Sequence, residues 1–175
     1  MNRIAALLLF LMVAALAILL ITRSTTGPSD ILDQTDVRRH PEAALENVDT
    51  LLHRVRDGVT ASEQARKLLN TIIDDRSDPE STLDARLRLV ELEQSLGNHA
   101  AAGDALFDAI QAHPGSAATP RLLIDLGLLL HGPLDRPAEA AEVLNKVVLL
   151  YPDHPLADEA LLLADQVATE LAEHE

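Results

Sequence analysis

A short apolar pattern recurs along this chain at nearly constant spacing, and it leaves the chain few folds to choose from. In the stretch LGNHAAAGDALFDAIQAHPG, Ala102, Leu106, Ala109 and Pro114 stand at steps of four, three and five. Steps of four and three place small, large and small apolar residues on one face of a helix. The small residues let a second helix come close, the large one fills the space beside them, and the proline ends the helix. The same steps return as Ala140, Leu144, Val147 and Pro152. They return once more as Ala65, Leu69 and Ile72, with the proline two residues late at Pro79. Ala65 to Ala102 is 37 residues and Ala102 to Ala140 is 38, a period that belongs to stacked helical arrays.

The segments between these marks read as helices. Pro41-Glu42 opens one, with a proline and an acid in the first turn where both are favoured. Leu45, Val48, Leu52, Val55 and Val59 give it an apolar stripe that Gly58 interrupts. Thr60 and Glu63 have capping-box spacing for a second helix. A third runs from Pro79 to Gly97-Asn98, and a fourth ends at His113 before Pro114-Gly115. Pro120 fits the first turn of a fifth, which stops at His131-Gly132-Pro133. A sixth spans about 136–151 and a seventh 156–173. Period-two runs of Val, Ile and Thr are missing, so strands are not expected. The expected fold is all-α: three helix hairpins and a terminal helix whose outer side, with Asp158, Asp165, Thr169 and Glu173, faces water.

The second helices of these pairs, with Leu126-Gly127 in a first helix, resemble the tetratricopeptide repeat, a helix-turn-helix unit ending in proline. Leu89-Val90 stands where the second pair should carry Leu-Gly, no Trp occurs, and each unit is three or four residues longer than the standard repeat. The stretch YPDHPLADEALLLADQVA is also similar to long-repeat units of bacterial envelope proteins of this superfamily. The resemblance covers roughly 41–173 and implies a short right-handed α-solenoid whose first helices line a concave groove for protein segments.

Ahead of the repeats, Ile4–Ile21 is an unbroken apolar run of eighteen residues between Arg3 and Arg23. At about 1.5 Å per helical residue it matches the hydrocarbon thickness of a bilayer. It is read as a transmembrane anchor at 4–21 behind a short tail, 1–3. The alternative is a cleaved signal peptide. Ala15-Leu16-Ala17 has the small-x-small form but lies inside the apolar run, which favours retention. The short tail suggests a cytoplasmic amino terminus and an exported repeat domain, at a bacterial inner membrane facing the periplasm. Residues 22–40, with Gly27-Pro28, read as a polar linker, and 41–175 as the repeat domain.

Composition narrows the chemistry. With only Phe107 and Tyr151 aromatic beyond Phe10, the core has to be built from leucine and alanine. The net charge is −14, which makes nucleic acid an improbable ligand because phosphate binding needs a basic surface. There is no cysteine, and the seven histidines, at 40, 53, 99, 113, 131, 154 and 174, never pair at helical spacing, so no metal or cofactor is expected. Neither a Gly-x-Ser-x-Gly elbow nor a glycine-rich phosphate loop occurs. Adjacent acids such as Asp74-Asp75 point about 100° apart on a helix and read as solvated faces. No enzyme activity and no small-molecule substrate are expected.

What remains is surface. Glu46, Asp49, His53 and Arg56 share one face of the first helix, and Asp84, Arg88, Glu91 and Ser95 one face of the third. Arg121 and Asp125 are one turn apart on the fifth. By the resemblance these are groove residues; as plain chemistry they are helix faces able to form i, i+4 ion pairs. The expected function is a membrane-anchored adaptor that binds protein partners in an envelope complex. The alternative is a structural subunit or assembly factor of a membrane-bound redox or secretion complex.

Overall fold

Asp78 shows how local chemistry starts the helices. Its side chain accepts from the backbone N–H groups of Glu80 (3.3 Å) and Ser81 (3.2 Å) and from the Ser81 hydroxyl. Two donors that the first turn leaves without intrahelical partners are thereby satisfied. After seventeen helical residues, Leu96, Gly97 and Asn98 stop the same helix. The Asn98 N–H donates to the Glu93 carbonyl (2.8 Å) and the Gly97 N–H to that of Gln94 (3.0 Å), with Gly97 at φ +74°. This is a Schellman turn, and the left-handed backbone it needs is one glycine adopts without strain.

The structure is a computed structural model and describes residues 34–54 and 59–173. Among the described residues all regular structure is helical. The helices are α1 (Gln34–Arg39), α2 (Pro41–Arg54), α3 (Val59–Asp75), α4 (Pro79–Ser95), α5 (His99–Ala112), α6 (Thr119–His131), α7 (Pro137–Leu150) and α8 (Ala157–Glu173). Each packs against the next in the chain, and α2 also reaches α4. All belong to one compact unit, Gln34–Glu175. The expected helices are present, with Thr60 inside the first turn of α3 rather than ahead of it. The apolar run at 4–21 and Arg56 lie outside the described residues. No described helix is long and apolar enough to cross a membrane.

Helix α1 falls within the stretch read as a polar linker. Val37 is almost fully covered, and Arg38 pairs with Asp75 at the end of α3 (3.1 Å). One apolar residue in a polar hexamer has no period to detect, so the helix was not visible in sequence.

The apolar steps form the core. Ala65, Leu69 and Ile72, then Ala102, Leu106 and Ala109, then Ala140, Leu144 and Val147 are all buried. Between α6 and α7 the approach is close: a Cβ on Gly127 would stand 2.7 Å from Cγ of Leu144. Glycine at 127 is what lets Leu144 lie directly on the α6 backbone.

The period extends to the loops. His113 ends α5 at φ −131°, ψ 54°, and Tyr151 ends α7 at φ −133°, ψ 52°. Each precedes a proline, which pushes the residue before it out of the helical region. Beyond them the hydrogen bonds repeat in the same order. The Ser116 N–H donates to the His113 carbonyl (3.0 Å), and that of His154 to Tyr151 (3.0 Å). The Ala118 N–H donates to the Ser116 hydroxyl (3.2 Å), and that of Leu156 to Nδ1 of His154 (3.2 Å). Finally, the Tyr151 hydroxyl donates to the Pro114 carbonyl (2.9 Å) and ties one loop to the next. The junction after α3 lacks the proline at this place and takes another path, with Arg76 at φ +49°.

Candidate functional site

Helices α2, α4 and α6 share one side of the fold, and two clefts open between them. The first, about 410 Å³, lies between α2 and the amino-terminal half of α4, with Leu45, Leu83 and Leu87 among its lining residues. The second, about 600 Å³, lies between α4 and α6, with Leu106 of α5 contributing to its lining. Leu87 lines both, so the clefts adjoin. Leu87, Val90, Leu122 and the exposed Leu128 give the second cleft an apolar surface.

The charged residues singled out in sequence gather here in part. Arg88 pairs with Asp49 of α2 and with Asp84 one turn back on α4 (3.1 Å), so one guanidinium joins two helices. Glu91, Arg121 and Asp125 line the second cleft, the latter two paired at 3.0 Å. The two clefts are lined by six carboxylates (Glu42, Asp78, Glu80, Asp84, Glu91, Asp125) against one guanidinium (Arg121), so the rim is acidic. Partial burial pushes the Asp84 carboxyl up from its ordinary value. Glu46 and His53 are exposed on α2 away from the lining residues of both clefts. Ser95 donates its hydroxyl to the Leu92 carbonyl (2.7 Å) at the end of α4, which is a helix-end role.

Sequence reasoning missed the apolar lining. Leu83, Leu87 and Val90 do stand at steps of four and three on α4, but a stripe of that kind reads as core. It also missed the link that fixes α4 against α3. Arg66 Nε donates to Oε1 of Glu93 at 2.6 Å and Nη2 to Oε2 at 3.1 Å, while the Asn98 amide donates to Oε2 at 2.8 Å. Glu93 is only 4% exposed. The Arg66 fork holds its carboxyl below the ordinary glutamate range, against the opposing pull of burial and with help from Asn98.

Among the described residues no group of three His, Asp or Glu side chains could hold a metal ion. The geometry offers shaped, partly apolar surface with fixed charges around it. No family model matches the chain, and no curated protein matches it.

Proposed function

We propose that the chain is a non-catalytic adaptor of tetratricopeptide-repeat type: a short right-handed solenoid tethered to a membrane by residues 4–21 and holding a protein partner in an envelope complex. The paired clefts between α2, α4 and α6 carry this reading. They adjoin at Leu87, expose leucine and present an acidic rim. Such a surface suits a peptide segment with apolar side chains for the lining and Lys or Arg for the rim. The loop hydrogen bonds that return after α5 and α7 support the repeat assignment, since these two units close in the same way. Tethering adds avidity, because confinement at a membrane raises the effective concentration of a weak partner.

A second reading has an observation of its own. Leu149 and Leu150 at the end of α7, and Leu161 and Leu162 on α8, are exposed, Leu149 to 77% and Leu162 to 70%. Leucines left in water at the last helix pair suit a structural subunit whose terminal face is covered by a neighbour.

Photo-crosslinking of the full chain in its native membrane separates the two. A crosslinker at Leu87 should capture a partner polypeptide, and one at Lys146, exposed on α7, should not. Capture from positions 149 and 162 with none from 87 would replace the adaptor by the structural subunit.

A further inference from the structure

A third cleft, of about 490 Å³, lies on another side of α4 and takes no part in the grooves. It is lined by the start of α4, with Pro79, Thr82 and Arg86, and by the end of α5, with Asp108, Gln111 and His113; Arg76 comes from the preceding loop. Arg86 is two residues from both Asp84 and Arg88, about 200° around the helix, so it points away from the acidic rim.

Arg86 is unusual for a guanidinium. It is 9% exposed, and its Nε is buried without a hydrogen-bond partner. Its one ion pair is a loose one, Nη1 to Oδ2 of Asp108 at 4.0 Å, with Asp108 itself 67% exposed. Nε2 of His113 is likewise buried and unpartnered. A buried polar group left unpaired costs free energy, the more so on a charged side chain, so two of them in one cleft point to something that binds there. Burial, with the charge of Arg86 added, holds the His113 imidazole below its ordinary range. In the neutral tautomer with its proton on Nε2 it can donate to an acceptor.

We propose that this cleft is a binding site for a carboxylate, which the Nε edge of Arg86 grips and His113 and Arg76 flank. A carboxylate is favoured over a phosphate by charge, since a guanidinium fork accepts either. The charges lining the cleft, Arg76 and Arg86 against Asp108, leave a surplus of one, which a monoanion balances. In a chain of net charge −14, two arginines lining one pocket are a local reversal of sign. The carboxylate has two possible sources, a free small acid or the side chain of a Glu or Asp on a partner.

The test uses the full chain in nonionic detergent with nitrogen-labelled arginine and histidine, titrated at constant ionic strength with chloride. The probes are acetate, N-acetylglutamate N-methylamide, its glutamine counterpart and inorganic phosphate. The Arg86 Nε–H and His113 Nε2 resonances should move saturably with a carboxylate probe and not with the glutamine probe. Bound anion should also raise the pH at which His113 protonates. Response to acetate alone assigns a free acid, to the glutamate probe alone a protein side chain, and to both the shared chemistry. Arg86→Lys keeps the charge but loses the fork, and should weaken binding about tenfold, the equivalent of one charge-assisted hydrogen bond. Arg76→Gln, at an exposed position, gives a second measure should Arg86→Lys fail to unfold cooperatively. Silence toward both carboxylates, equal binding of the glutamine probe, or tighter binding of phosphate would each overturn the proposal.

Discussion

Glu93 and Gly127 are single residues through which neighbouring helices are joined. Glu93 has a folded-state pKa below its unfolded value, so its contribution to stability is present above the ordinary carboxylate range and lost as pH falls through the folded value. Glu93→Gln keeps the volume and removes the charge that Arg66 and Asn98 share. It should cost about 1.5–3 kcal/mol near neutral pH, the range for hydrogen bonds to a charged group, and progressively less in acid. Urea unfolding at several pH values measures both; an equal cost at every pH would mean that the charge is not what matters. At Gly127 two effects oppose each other. Alanine gains up to about 1 kcal/mol in helix propensity, but its Cβ would meet Leu144 at 2.7 Å. Because the atom met is the branch point of Leu144, the whole side chain has to move, and overpacking costs about 1–3 kcal/mol. Gly127→Ala should therefore destabilise on balance, and calorimetry of the purified chain decides the sign.

Helices α5 and α7 owe their close packing to Ala102 and Ala140, both fully buried. Ala102→Leu or Ala140→Leu should each cost about 1–3 kcal/mol by forcing helices apart, read from thermal unfolding. Two neutral substitutions would show that these faces have room to spare. Helix α8 is the outermost described element, and its buried face is Ala157, Ala160, Ala164 and Val167. His131, at the end of α6, also reaches Glu170 on it at 3.1 Å. Stopping the chain after residue 155 would uncover the side of α7 on which α8 packs, so the shortened protein should unfold at lower temperature and associate in sedimentation. The expected polar outer side is only half realised. Asp158, Asp165, Thr169 and Glu173 do face solvent, yet Leu161 and Leu162 are exposed beside them.

At the scale of the whole molecule, those leucines and the acidic clefts are surfaces of different chemistry, and they respond differently to mutation. Leu149→Gln with Leu162→Gln touches no buried contact and should change stability by no more than about 0.5 kcal/mol. If the terminal face is sticky, the same pair should lower self-association in analytical ultracentrifugation; an unchanged sedimentation profile would assign those leucines no role between copies. The all-helical fold and the positions of α2 to α8 are legible in the sequence, because apolar steps of three and four, prolines and Gly97 are local signals repeated along the chain. The groove charges were legible only as helix faces. That Arg88 would join Asp49 to Asp84, while Ser95 turned to a carbonyl of its own helix, depends on how α2 and α4 lie together. Helix α1 was hidden because its one apolar residue has no period, and the Arg66–Glu93 fork because its partners are 27 residues apart on different helices. The cleft at Arg86 was hidden for the same reason: Arg76, Arg86 and His113 meet only when α4 and α5 pack. Sequence alone determined what repeats, since periodicity is a property of the chain. Tertiary structure decided which charges pair, which leucines stay in water and which buried donors lack partners, since those depend on distances between helices that no local pattern encodes.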